Sequence, residues 1–395
     1  MSGESLRKFL SSRGAVREIV HFGTHQAFKN RSTYTCILIL GKSDNPSYEI
    51  AFVQDWNRFL FEHKAEYTSY PSETLGSSPW TFIPGQITDR LTAIESQCSH
   101  LNELARIFVG VQTSNDKVYI LTADSMDNDY VYFHDKNGVA RKVEKGILRK
   151  SIYDVRLQKY QAIIPNSYII FPYLNEAGKP ALIDINTMRT EYPFALDYLY
   201  SFKEELDRRN MTHPRTDSNW YAYGRSQSLS RFINGEHLIW PVLSLDSNYV
   251  YDNDLVVFTG GGNGPFYGIE MKAGIKESIF YVQAILNHWL MELLVRNSAS
   301  TFRGGYYSHG KQFIAELPIY RIDFSDETQK TIHDEIVEKV HQIEKLYIRM
   351  NDAQNSSGKK AIARAVEASQ NELSTMIDNL YGVVGLWGAD TDESN

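Results

Sequence analysis

The stretch FVGVQTSNDKVYILTAD, residues 108–124, decides how the middle of this chain is read. Two apolar runs flank a polar segment at 112–116, which predicts a strand, a turn and a second strand, with Gly110 in the first. Downstream, VYFHDKNGVARKV repeats the pattern around Asn137-Gly138, a dipeptide suited to tight hairpins because both positions tolerate positive φ. NSYIIFPY, HLIWPVLS, YVYDNDLVVFTGGG and GPFYGIEMK supply further strands. Helical spacing appears at 192–210, YPFALDYLYSFKEELDRRN, from about Ile87 to Ala105, and in SIFYVQAILNHWLMELLV, which reads as one buried helix. The middle region is therefore α+β.

Outward from there, residues 4–12 predict a helix and AVREIVHFG (15–23) a strand. TYTCILILGK (33–42) is a continuous apolar, β-branched run, as in a strand buried on both faces. YEIAF (48–52) is another short strand, DWNRFLFEHK a helix, and the Ser/Pro/Gly-rich 69–86 a linker. From Ser325 the character changes. DETQKTIHDEIVEKVHQIEKLYIRM places Ile332, Ile336, Val340, Ile343 and Leu346 on one stripe, and AIARAVEASQNELSTMIDNLYGV follows after a short polar loop. Two such helices make an antiparallel pair. The tail WGADTDESN, 387–395, is polar and expected to be disordered.

The chain has 395 residues, 42% hydrophobic and 23% charged, which suits a globular protein of two or three domains. Only Cys36 and Cys98 are present, so neither a disulfide framework nor a cysteine-rich zinc site is expected, and a reducing cytoplasm is the default. No apolar run reaches the roughly 18 residues that a membrane span needs. Net charge is −7, but it is unevenly spread. Residues 136–160 carry eight Lys and Arg against Glu144 and Asp154, a local basic patch able to meet phosphates. The same run also suits a solvated face with no partner.

Several motifs bear on chemistry. WYAYGRSQSLSRF, 220–232, sets aromatic rings among Arg225, Gln227 and Arg231. Rings stack on bases, arginine forks grip guanine edges or phosphates, and a glutamine amide pairs with adenine. The alternation in WYAYGRSQ equally fits a core-facing strand with a polar outer face. FTGGGNGPF (258–266) follows a strand but lacks G-x-G-x-x-G spacing, and a hairpin loop is the better reading. Asp252 or Asp254, with Glu270 and Lys272, has the acid–acid–lysine order of metal-dependent nucleases, which makes a Mg-dependent endonuclease using Asp254, Glu270 and Lys272 the alternative enzyme reading. His21, His25, His213, His288, His309, His333 and His341 show no zinc spacing with a third ligand, and His333 and His341 are expected at the surface.

Several segments, taken together and in order, resemble a known family. LRKFL, REIVHFG and AFKNRSTYTCILILGK resemble the last strands of a gamma-class N6-adenine DNA methyltransferase. LARIFVGVQTSNDKVYIL resembles the hairpin that opens a TaqI-like specificity domain, with Gln112 and Ser114 near places where that family often has Thr and Gly. EKGILRKSIYDVRL, YPFALDYLYSFKEELDRR with WYAYGRSQSL, and YVQAILNHWLMELL with GGYY and ELPI resemble its later blocks; NELSTMIDNLYGV resembles its closing helix. The family is that of Eco57I-like type IIG restriction–modification enzymes.

The resemblance implies a mixed α/β chain. Its parts would be the tail strands of a methyltransferase fold (1–66), a linker and connecting helix (67–100), an α+β target-recognition domain (101–324) and a C-terminal antiparallel helix pair (325–386). It further implies that the Asn-Pro-Pro-Tyr motif and the S-adenosylmethionine loop lie upstream of Met1. This chain would then hold no cofactor or metal and would not be active alone. Its partners would be double-stranded DNA and a catalytic methyltransferase subunit or missing N-terminal half, with no membrane. Lys142, Lys145, Arg149 and Lys150 are the expected phosphate grips. Arg215, Arg225, Gln227 and Arg231 are the expected base readers, with Tyr221 and Tyr223 as flanking contacts and Trp220 as either contact or core. The strand edges at 16–41 would complete a partner's sheet.

Overall fold

The structure is a computed structural model describing residues 3–23, 25, 27–28, 35–42, 44–53, 55–62, 64–77, 80, 82–83, 85–260, 265–299, 301–302, 304–353 and 355–386. The expected tail at 387–395, most of the loop at 24–34 and residues 261–264 of the glycine stretch lie outside the described residues. The architecture is mixed α/β, built from several small sheets and helices.

Near the N-terminus, after the helix Glu4–Ser11, four strands form one sheet in the order Cys36–Leu40, Val16–His21, Ser47–Phe52, Tyr67–Pro71. The two inner strands are parallel, and each pairs antiparallel with its outer neighbour. Leu10, Val16, Ile19, Tyr48, Ile50 and Leu75 form its core. The run Cys36–Leu40 departs from expectation: it is an edge strand, with Ile37, Ile39 and Leu40 more than 40% exposed. A continuous apolar run records that both faces are suited to burial; it does not supply the elements that would cover them. The stretch read as a linker, 69–86, begins within the strand Tyr67–Pro71 and ends in the start of the helix Gly85–Ala93.

The central sheet is antiparallel in the order Val250–Asp252, His237–Pro241, Phe266–Met271, Ala105–Val109. Alternate residues of His237–Pro241 serve two cores. Ile239 faces a cluster with Phe108, Val111, Phe232 and Phe258, whereas Leu238 and Trp240 face a helical cluster. The helical cluster contains Ile279–Leu286, Trp289–Ser298 and the terminal helices Glu327–Asp352 and Ser356–Tyr381. Those last two are the expected pair: Asp326 and Asn355 cap their N-termini, and Gly382 ends the second at φ 65°. Ile336, Val340 and Ile343 of the read stripe are buried. His333 is also buried, contrary to expectation, and accepts the Ser278 N–H at Nε2, 3.0 Å.

Two long helices read from periodicity are interrupted. The helix expected over 87–105 ends at Ala93, and Cys98–His100 instead pairs antiparallel with Pro318–Tyr320. In SIFYVQAILNHWLMELLV the break falls at Asn287-His288. The Asn287 side chain accepts the Tyr249 N–H and donates to the Tyr249 carbonyl, both at 2.9 Å, while His288 Nδ1 accepts the Leu290 N–H and caps the second helix. Polar side chains committed to tertiary and capping bonds override apolar periodicity here.

Candidate nucleic-acid interface

Gly110 follows the strand Ala105–Val109, and glycine is required there because a Cβ would stand 2.3 Å from the Phe258 carbonyl oxygen. The chain after it is gripped from two sides. On one side Val111 N–H donates to Phe258 O and Gly260 N–H to Val111 O, both at 2.9 Å. On the other, Gly224 N–H donates to Thr113 O at 3.2 Å and Arg225 N–H to Gln112 O at 3.1 Å. Past Asn115 one turn of helix, Asp116–Tyr119, precedes the short strand Ile120–Leu121. That strand joins a different sheet from Ala105–Val109, so the expected hairpin does not close on itself.

The grip continues sideways. Val257 N–H donates to Lys150 O at 2.9 Å and Ile152 N–H to Val257 O at 3.1 Å. Four segments therefore lie side by side: the basic strand Leu148–Ser151, residues 257–260, residues 110–113 and residues 223–225. Ser151, Val257 and Val111 on this strip are buried. Lys150, Gln112 and Arg225 point the other way, Lys150 and Arg225 being exposed and Gln112 half-exposed.

The expected site residues divide accordingly. Arg149, Arg225 and Gln227 are exposed, and no described residue takes up their side chains. Lys150 is exposed and pairs with equally exposed Asp254 at 3.1 Å, a bond weak enough for a phosphate to displace. The other six are employed elsewhere. Tyr221 and Tyr223 are buried, their hydroxyls donating to Ile183 O (2.5 Å) and Ile170 O (2.7 Å). Burial pushes the Tyr221 phenol up to about 12 and that of Tyr223 well above its ordinary value. Arg215 is turned inward onto the Leu206 and Arg209 carbonyls (3.2 and 2.8 Å) and Asp207 (3.5 Å). Arg231 forms an ion pair with Glu270, Lys142 lies over the rings of Phe194 (3.9 Å) and Tyr130 (4.4 Å), and Lys145 donates to Asp127 O. Trp220 is buried, and 220–228 is a series of turns, not a strand. Sequence reasoning also passed over Tyr153 and Arg156, both exposed beyond the basic strand; their place in the basic run was the available signal.

The acid–acid–lysine order is not gathered. The strands carrying Asp252 and Glu270 are separated by His237–Pro241, about 10 Å between backbones at two strand spacings. Asp254 pairs with Lys150, Glu270 with Arg231, and Lys272 Nζ donates to Asn102 O at 2.5 Å. Among the described residues no cluster of three His, Cys, Asp or Glu side chains can hold a metal ion.

One buried pair beside the site titrates. Asp252 and His237 are opposite residues on neighbouring strands, and both are buried. Burial lowers the imidazole to about 4, helped by nearby Arg231, and raises the Asp252 carboxyl to about 6 against two backbone N–H bonds. A raised carboxyl contributes stability below its unfolded value near 3.9 and loses it as pH rises through 6. A depressed imidazole contributes above about 6.5 and loses that as pH falls through 4. Between these limits the two trends oppose each other. Asp252→Asn removes one, so its stability is expected to fall more steeply than the parent's from about pH 6.5 to 4. Urea unfolding across that range measures this, and superimposable pH profiles would refute it.

No family model matches the chain. Over 96% of its length it is 29% identical to the type II restriction enzyme and methyltransferase RM.Eco57I of Escherichia coli, of which it spans 39%. The chain resembles the Eco57I kind of restriction–modification protein. It is also 23% identical over 86% of its length to the type II methyltransferase M.HindII of Haemophilus influenzae, spanning 65% of it. For M.BanIII of Aneurinibacillus aneurinilyticus the figures are 22% identity over 64% of this chain and 47% of that protein. The chain thus spans about two fifths to two thirds of the length of these relatives. No helix among its described residues is long and apolar enough to cross a membrane.

Proposed function

We propose that this chain is the DNA target-recognition part of an N6-adenine methyltransferase or type IIG restriction–modification system, a TaqI-like specificity domain preceded by the tail strands of the methyltransferase fold. The observation that carries the reading is the strip itself, on which Arg149, Lys150 and Arg225 stand exposed on interlocked backbone, with exposed Gln227 in the turn just past it. Cationic side chains on a rigid surface meet phosphates, and Arg and Gln beyond them have the donors to read base edges.

Two further features support it. Among the described residues the edge strand Cys36–Leu40 pairs on one side only and exposes Ile37, Ile39 and Leu40, which suits a sheet that continues into a catalytic portion. The described flanks of the glycine stretch argue against an S-adenosylmethionine cradle. Gly260 is pressed against Gly110, where a Cβ would meet the Gly110 nitrogen at 2.3 Å, and the element after Pro265 is a strand with no helix N-terminus to receive an anion. The cofactor would accordingly be held by the catalytic portion, which would flip and methylate adenine while this chain grips the duplex.

A gel shift on duplex DNA at low and moderate salt tests the reading. Binding is expected to weaken steeply with salt, as counterions are released from several phosphates. Arg225→Ala is expected to lower specific affinity about 10- to 100-fold, the effect of losing one bidentate base contact. Binding that is absent or indifferent to salt would sink the proposal.

A further inference from the structure

We infer that Gln112 is a specificity-determining residue that works beside Arg225, the two side chains reading neighbouring bases of duplex DNA from one groove. This rests on the DNA-recognition reading and goes beyond it by naming a residue that neither the aromatic–arginine stretch nor the basic patch contains.

The geometry begins in the backbone. Gln112 and Arg225 form an antiparallel bridge, with Arg225 N–H donating to Gln112 O at 3.1 Å. Opposite residues in such a bridge project from the same face with Cα atoms roughly 5 Å apart. Bases along one strand rise about 3.4 Å, so two long side chains set this close reach adjacent bases. The chemistry is complementary: an amide fork matches adenine N6 and N7, and a guanidinium matches guanine O6 and N7. Neither side chain is taken up by another described residue.

The pair is also held still, which a reading device requires. Arg209 donates to Thr113 O at 2.7 Å and to Trp220 O at 2.8 Å, tying the segment that carries Gln112 to the one that carries Arg225. Gly224 passes so close to Ser114 that a Cβ would meet its Oγ at 2.1 Å. Gln227, by contrast, lies two residues past the bridge in a turn.

The pair's position relative to the basic strand fits a duplex. Three bridges in succession lead from Ser151 through Val257 and Thr259 to Val111, and from Gln112 to Arg225. Three strand spacings amount to about 14 Å. A major groove is about 12 Å wide. Lys150, on the same face, can therefore rest on a phosphate bordering the groove that Gln112 and Arg225 enter.

Selection from a randomised duplex pool, with the full chain and its Gln112→Ala, Gln112→Glu and Arg225→Ala variants, tests this. The parent is expected to enrich a motif. Gln112→Ala should lose preference at one base pair, about 10-fold or more, and Arg225→Ala at the pair next to it. The slope of binding against salt should be unchanged in Gln112→Ala, since no charge is lost. Gln112→Glu should move the preference at its own position toward a cytosine-bearing pair, a gain that an unfolded variant cannot show. If the parent enriches a motif and both Gln112 variants enrich the same one, the inference falls while DNA recognition stands. If the affected base pairs are not neighbours, the pairing with Arg225 is overturned. A parent that binds no DNA removes both.

Discussion

Trp220→Ala is expected to lower stability by about 3–5 kcal/mol, the cost of emptying a closed aromatic site. Trp220 is 1% exposed, with its ring 4.7 Å from Tyr200 and 5.7 Å from Tyr221 and the Lys203 ammonium 5.2 Å above it. Its backbone carbonyl, which alanine keeps, accepts from Arg209, so the tie to the segment carrying Thr113 survives wherever the variant is folded. Its indole N–H is buried and meets no acceptor among the described residues, and Trp220→Phe therefore forfeits ring area but no hydrogen bond. Urea unfolding should order the chains as parent, Trp220→Phe, Trp220→Ala. Wherever the alanine variant is still folded, its affinity for DNA should match the parent's, in contrast to Arg225→Ala. A Trp220→Ala chain that unfolds like the parent yet loses DNA would make the ring a stacking contact and overturn its place in the core.

That contrast shows what could be read from residues alone. In WYAYGRSQSLSRF, residue types announced stacking and base reading, and for Arg225 and Gln227 the exposure is there. The rings went the other way. Tyr221 and Tyr223 are long enough to send their hydroxyls through the core to the Ile183 and Ile170 carbonyls, a destination set by segments about 40 to 50 residues away. Local signals were legible where the cause is local. Asn137-Gly138 turns as expected, with Gly138 at φ 78° between paired strands Tyr130–His134 and Ala140–Glu144, and the capped terminal helices run where the apolar stripes put them. Gln112 went unread as a site because its importance comes from a backbone bridge to a residue 113 positions later. Cys36–Leu40 went wrong for the same kind of reason, since the pattern of a strand says nothing about whether the chain supplies its cover.

The second large effect is expected at Glu292, a buried carboxylate that joins three parts of the fold. Its Oε2 accepts from Ser247 Oγ at 2.6 Å and from His309 Nε2 at 2.8 Å, and its Oε1 from Arg296 Nε at 2.6 Å. Through these bonds the helix Trp289–Ser298 holds the loop after Leu243–Ser244 and the end of the strand Tyr306–Ser308. Burial works against the charged form, but His309, Ser247 and Arg296 outweigh it and bring the carboxyl down to about 2. Its contribution is thus fully present above the unfolded value near 4.3, and is lost as pH falls from there through about 2. Glu292→Gln keeps the shape and removes the charge, leaving His309 and Arg296 facing a neutral amide, at a cost of about 3–5 kcal/mol at neutral pH. The same substitution should flatten the acid limb, because the group that titrates there is gone. Unfolding by urea at pH 7 and at intervals down to pH 2 measures both effects. A variant within about 0.5 kcal/mol of the parent at pH 7 would refute the role given to Glu292, since changes of that size are typical of surface positions. So would an acid limb as steep as the parent's.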